Sequence, residues 1–306
     1  MLYDFSCTPE VFSEEYLSAE GSHFFSLINF LQGIVSNGLL ADLNNGEWKK
    51  SVVNNLDNLP PPYRDKLLTL FEKLRDQNLI VGHPKSKIKV SSEKDWIDVA
   101  ELSDDKKPFF GIVGSQEYNE NVSTIENLIL SQHWSEERTI SHFIEQNEEN
   151  MKKELSSMLP YAKKVTLIDP YFNTTKYTFR KSLELVAEQF GSRRGMRQRG
   201  SIQIHAKYQQ GMTDTQQYIN SWKKISKEIF QKYGHICSLF LWDNTGKRMH
   251  DRFIITDQCG VQVGAGLDIR NEGTSTWSKL EYNTLSDILK NYVENSSAFD
   301  LKKKLL

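Results

Sequence analysis

The chain has 306 residues, 38% of them hydrophobic and 11% aromatic, which suffices for two folded domains or one large one. A formal net charge of −2 excludes a global electrostatic drive toward nucleic acid or anionic membranes, so any such contact needs a local basic patch. No run of about 18 apolar residues occurs, no basic-then-apolar leader opens the chain, and Cys7, Cys237 and Cys259 are odd in number without metal-ligand spacing; together these predict no transmembrane segment and a cytoplasmic protein with free thiols.

Residues 2–7 read as a first strand. Phe24, Phe25, Ile28, Leu31 and Val35 recur at helical spacing from His23 to Leu40, with Asn37-Gly38 as a stop signal. A shorter helix is expected over 47–56. Another starts at the prolines 60–62 and carries Leu67, Leu70, Phe71 and Leu74 on one face. Leu79–Val81 reads as a strand, and His83 to Lys107 has no clear period apart from a short element around Trp96, Ile97 and Val99. Phe109–Gly114 reads as a buried strand and 116–124 as a linker, with helices at 124–133 and 136–158. These elements predict a mainly helical α+β N-terminal domain over 1–135. Asp4 is a weak hint of an acidic metal-dependent nuclease site in this half, with no second acid to join it.

From Val165 onward the pattern alternates strands with helices. Strands are expected at Val165–Ile168, Ile202–His205 and Ser238–Trp242, with helices at 176–190, 213–232 and 284–295. Such alternation predicts an α/β domain over 136–306, built on a mixed, mostly parallel sheet flanked by helices. Asp169 falls at a strand's carboxyl end, where α/β sheets place ligand-contacting residues. Arg193, Arg194, Arg197 and Arg199 crowd a loop punctuated by Gly191, Gly195 and Gly200. Such a loop either follows a nucleic-acid backbone or is a solvated connection.

Residues 249–269 carry the strongest chemical signal. Phe253–Ile255 is an apolar strand, a turn follows at Asp257–Gly260, and Val261 and Val263 resume the alternation. His250 and Arg252 are two apart, which on a strand sends both side chains to one face. A histidine, a cation and an acid just beyond make a phosphate site. The imidazole attacks phosphorus or relays a proton, Arg252 holds non-bridging oxygens, and Asp257 fixes the ring tautomer. Gly264 and Gly266 let backbone N–H groups approach an anion.

This stretch resembles the phospholipase D superfamily signature, H-x-K, four residues, D, six residues, G-S-x-N. Here it reads H-x-R with the same spacing, but Arg252 stands for the lysine, Ala265 for the serine and Leu267 for the asparagine. Residues 264–268, Gly-Ala-Gly-Leu-Asp, also resemble the phospholipase D-like C-terminal domain of MIT-domain proteins and of related bacterial proteins. The resemblance spans roughly residues 150–306. It implies a metal-independent phosphodiesterase, a nuclease acting on nucleic acid in a bacterial anti-phage defence system with further protein partners. His250 is then the nucleophile, Arg252 the phosphate clamp and Asp257 the orienting acid, and because the imidazole attacks directly no metal or other cofactor is implied. The alternative is a non-catalytic module that keeps the pocket to bind a lipid headgroup, a nucleic-acid end or a partner protein.

The family's chemistry generally uses two copies of the motif. His205-Ala206-Lys207 and His83-Pro84-Lys85 fail as second copies, because Met212 and Val90 occupy the acid's position. A single motif predicts a homodimer with the 249–269 hairpins near its axis, one histidine attacking and the other protonating the leaving oxygen. Glu272 and Glu281 are candidates for an acid near the histidine, and Trp242 and Trp277 are read as core or pocket wall.

Overall fold

The computed structural model describes residues 2–103, 109–131, 134, 141–192, 200–244, 248–270, 272–293 and 296–306. The chain forms two compact units, Met1–Thr139 and Ile140–Leu306, where the sequence reading had divided it between 135 and 136.

The first unit runs β1 (Tyr3–Cys7), α1 (Glu14–Ala19), α2 (Gly21–Asn37), β2 (Gly38–Asp42), α3 (Glu47–Asp57), α4 (Pro61–Asp76), β3 (Ile80–Gly82), α5 (Glu93–Ser103), β4 (Gly111–Val113), β5 (Val122–Ser123) and α6 (Ile125–Leu130). Its sheet has the order β3-β2-β1-β4-β5 and every pairing is parallel. This corrects the expected mainly helical α+β domain to a parallel α/β one. The reason lies at Gly38, where α2 passes into β2 with no loop between them. The apolar Leu39 and Leu40 therefore extend the helical pattern while belonging to a strand.

The order reverses between β1 and β4, the crevice at which open α/β sheets take ligands. Glu93 bridges it. Its Oε1 accepts from Thr8 Oγ1 at 2.6 Å and from Ser115 N at 2.6 Å, and its Oε2 from Ser115 Oγ at 2.6 Å and Tyr118 OH at 2.8 Å. Asp4 sits near the amino end of β1, buried, away from that crevice.

The second unit runs β6 (Ser141–Glu145), α7 (Glu148–Leu155), β7 (Lys164–Ile168), α8 (Tyr177–Gln189), β8 (Ser201–Lys207), α9 (Gln216–Tyr233), β9 (Ile236–Asn244), β10 (Phe253–Thr256), β11 (Gly260–Val263), β12 (Thr274–Lys279), α10 (Tyr282–Leu289) and β13 (Phe299–Leu305). Of the expected helix over 136–158, residues 136–140 lie outside the described residues, and from Ser141 on the chain is instead strand β6 followed by α7, begun by Asn147, whose side chain accepts from Asn150 N at 2.9 Å.

The sheet order is β13-β9-β8-β7-β10-β11-β12-β6. Only β7·β8 and β8·β9 pair in parallel. The sheet is mixed as expected, but mostly antiparallel rather than mostly parallel. The βαβ alternation accounts for its middle, whereas β10–β12 form a meander of short hairpins and β6 and β13 add antiparallel edges. Lys302, Lys303 and Lys304 on edge strand β13 discourage further strand addition there. Ile168, Trp242, Met249, Phe253, Ile255, Leu285 and Phe299 pack into one apolar cluster beneath the motif segment. No helix of the described residues is long and apolar enough to cross a membrane.

Candidate functional site

Strand register assembles the site. In the β7·β10 pairing Ile168 faces Phe253, so Asp169, just past β7, comes level with Arg252, just before β10. On the other side of β10, Val263 N donates to Arg252 O at 2.9 Å, which brings the turn after β11 to the same end of the sheet. Asp169, Arg252, Gly264 and Gly266 therefore converge from three segments.

Asp169 is fully buried. Its Oδ1 accepts from Tyr171 N at 2.9 Å and its Oδ2 from Leu267 N at 3.0 Å. Arg252 Nε lies 3.8 Å from Asp169 Oδ1. Burial pushes the Asp169 carboxyl above its ordinary range, opposed by the two backbone N–H donors and the Arg252 cation. The carboxylate ties the turn at Leu267 to the end of β7, leaving little of it for a ligand.

Arg252 is differently placed. Nη1 donates to Gly264 O at 3.1 Å, and the guanidinium lies over the Tyr171 ring at 5.1 Å from its centroid. The side chain is 23% exposed. A guanidinium has five N–H donors, so the cation is anchored on one side and keeps donors for an incoming oxyanion.

Gly266 has φ +109°, and a Cβ there would lie 3.0 Å from Asp268 Oδ1 and 3.5 Å from Arg252 Nε and Asp169 Oδ2. Glycine lets the backbone pass that close to the ion pair. Yet the amides of this turn are largely engaged. Gly264 N donates to Thr276 O at 2.8 Å, Ala265 N to Ser275 Oγ at 3.1 Å and Leu267 N to Asp169. The expected backbone cradle for an anion is thus a set of internal bonds, made because Ser275, Thr276 and Asp169 stand within reach.

His250 lies in an irregular segment, three residues before the start of β10 rather than on the strand. Asn244 Oδ1 accepts from Met249 N at 3.2 Å, and the buried Met249 side chain roots the segment in the apolar cluster. The imidazole is 61% exposed, with Nδ1 2.6 Å from Asp251 Oδ1.

Asp257 does not join the site. It follows β10 at the opposite end of the sheet, where its Oδ1 accepts from Lys163 N at 2.7 Å and Lys164 N at 3.3 Å. Five residue steps through extended β10 hold it roughly 16 Å along the strand from Arg252, at about 3.3 Å per residue. Its role as orienting acid is therefore withdrawn, and Asp251 is the carboxylate on the His250 ring. Arg193, Arg194, Arg197 and Arg199 lie outside the described residues.

The structure adds residues that sequence spacing did not single out. Gln146, buried at the end of β6, donates from Nε2 to Gly266 O at 3.1 Å and to Asp268 O at 3.4 Å. Arg270 forks onto Asp268, Nε to Oδ2 at 2.8 Å and Nη2 to Oδ1 at 3.1 Å, and its Nη2 reaches Ala265 O at 3.4 Å. Only the Gly-x-Gly turn could have pointed to them, since a buried turn needs donors for its carbonyls.

His205 is a core residue. It stacks on Phe240 at 4.8 Å and its Nδ1 accepts from Trp242 Nε1 at 3.0 Å. Burial, then the Lys164 cation, pushes its pKa down to about 3, so it is a neutral acceptor. Trp242 and Trp277 are buried. Among the described residues no group of three His, Cys, Asp or Glu side chains is placed to hold a metal ion. The chain matches no protein family and no curated protein.

Proposed function

We propose that the C-terminal unit is a phospholipase D-like phosphate-recognition module that binds its ligand without turning it over. Arg252 carries this reading. It is a partly exposed guanidinium fixed by Gly264 O, Asp169 and the Tyr171 ring, with N–H donors left over. Arg270, whose Nη2 reaches Ala265 O at 3.4 Å, brings a second guanidinium to the same turn. Turnover asks for more than binding: donors aimed at the developing oxyanion and a second acid for the leaving oxygen. The amides of Gly264, Ala265 and Leu267 are occupied, Ala265 and Leu267 offer no side-chain donor, and His205 is buried against Trp242.

The ligand class is a phosphate group carried on a lipid headgroup, a nucleic-acid end or a partner protein. Equilibrium binding to vesicles containing an anionic phospholipid and to a 5′-phosphorylated oligonucleotide separates the first two sources. Arg252→Ala weakens whichever interaction exists, and the ligand is recovered intact after prolonged incubation.

The His250–Asp251 contact favours a second reading, a metal-independent phosphodiesterase or nuclease of an anti-phage defence system. An acid on Nδ1 leaves Nε2 outward for attack on phosphorus. Such chemistry then requires the second histidine of another copy in a homodimer. Hydrolysis in EDTA that disappears in His250→Ala, together with a dimer by light scattering, selects it over binding alone.

A further inference from the structure

Helices α8 and α9 follow successive parallel strands of one sheet, so right-handed crossovers lay them side by side on the same face. Between them is a cleft of about 230 Å³. From α8 it takes Tyr177, Arg180, Lys181 and Glu184, and from α9 Ile225, Glu228, Ile229, Lys232 and Tyr233. Both sets follow the three-and-four spacing of a single helical face.

The cleft's charges are nearly all matched. Lys232 Nζ reaches Glu184 Oε1 at 3.0 Å and ties the two helices together. Lys181 Nζ is 3.1 Å from Glu148 Oε1, and Glu228 Oε1 is 3.9 Å from Lys224 Nζ. Arg180 is the exception, because its buried Nε has no partner among the described residues. A buried N–H without an acceptor is costly, and an oxyanion on Arg180 removes that cost. The neighbouring surface is apolar and aromatic. Ile225 and Ile229 are buried, while Tyr177 is 68% exposed at one end and Tyr233 carries Lys232 Nζ at 4.9 Å from its ring centroid.

We infer that this cleft binds a small aromatic oxyanion, its carboxylate or phosphate on Arg180 and its ring against Ile225 and Ile229 beside the tyrosines. Its size sets the class. Drug-sized ligands fill roughly 300–1,000 Å³, so the cleft takes one substituted ring rather than a whole nucleotide. The site is separate from the Arg252 pocket, sharing none of the residues that define it.

The test is calorimetric titration of the full chain carrying Arg252→Ala, which silences the phosphate pocket proposed above, with phenyl phosphate and benzoate, and with inorganic phosphate and benzyl alcohol as the ring-free and charge-free controls. The same titrations are made after adding Arg180→Gln or Tyr177→Ala to that chain. The expected result is saturable binding of an aromatic oxyanion that exceeds either control. Binding falls at least tenfold on adding Arg180→Gln and several-fold on adding Tyr177→Ala. Failure to saturate at millimolar concentration overturns the inference, as does unaltered affinity on adding Arg180→Gln. If Arg180→Gln does not fold, the exposed Tyr177 decides, and unaltered affinity in Tyr177→Ala overturns the inference equally.

Discussion

Replacing His205 by glutamine should flatten the acid limb of the stability profile. His205 is 4% exposed, stacked on Phe240 and bonded through Nδ1 to Trp242 Nε1, and burial holds its pKa down to about 3. In the unfolded chain a histidine titrates near 6.5. The folded pKa is the lower of the two. The native ring therefore stays neutral while the unfolded one takes up a proton, and stability falls as pH drops below about 6.5. Linkage over that window gives a loss of about 2 kcal/mol between pH 7 and 5 from this one group, reaching about 4 kcal/mol near pH 3. A glutamine carbonyl oxygen can still accept from Trp242 but cannot titrate. The assay is urea unfolding at pH 7, 6 and 5, followed by tryptophan fluorescence, for both chains. Glutamine lowers stability at pH 7 through the lost stack, and the gap narrows by about 2 kcal/mol at pH 5. Parallel profiles would refute the reasoning, since they would mean that His205 is protonated or solvated in the native state.

Three further outcomes follow from the site's geometry. Gly266→Ala places a Cβ at φ +109° and 3.0 Å from Asp268 Oδ1; it should cost about 1–3 kcal/mol in denaturant unfolding, and an unchanged midpoint would mean that the turn re-forms freely. Asp257→Ala removes the acceptor of Lys163 N and Lys164 N; a stability loss of about 1–2 kcal/mol with unaltered ligand affinity is expected, and the reverse pattern would return Asp257 to the site. His250→Ala, at a side chain 61% exposed, should shift stability by no more than about 0.5 kcal/mol, and a larger thermal shift would assign the ring a structural role.

The C-terminal half was the more readable in sequence because its strands and helices keep distinct periods. The expected strand at Val165–Ile168 and helix at 176–190 lie within a residue or so of β7 and α8. Asp169 was legible as a strand-end acid, and the structure puts it beside Arg252. Spacing alone misplaced Asp257, because a fixed interval does not say whether the intervening residues turn back or run extended, and β10 runs extended. Strands β6, β12 and β13 escaped notice for a related reason. Ser141–Glu145 and Phe299–Leu305 are polar edge strands held mainly by ladder hydrogen bonds, which leave no apolar run to read. In the N-terminal half the two-residue β5 is too short to alternate, and β2 is masked by the helix it continues. Gln146 was beyond reach, since its partners are main-chain carbonyls more than a hundred residues away.

Phosphate recognition by Arg252 is tested most directly with paired ligands that differ only in the phosphate. One pair is a 5′-phosphorylated oligonucleotide and its unphosphorylated twin; the other is vesicles containing phosphatidic acid or, in its place, diacylglycerol. A charge-assisted hydrogen bond contributes about 1.5–3 kcal/mol, so the wild-type chain should prefer the phosphorylated member of at least one pair by about 10- to 150-fold. In Arg252→Ala that preference should collapse toward unity, with both ligands recovered uncleaved. A preference that survives the substitution would contradict the role given to Arg252, and cleavage of the phosphorylated ligand that vanishes in His250→Ala would replace binding with catalysis.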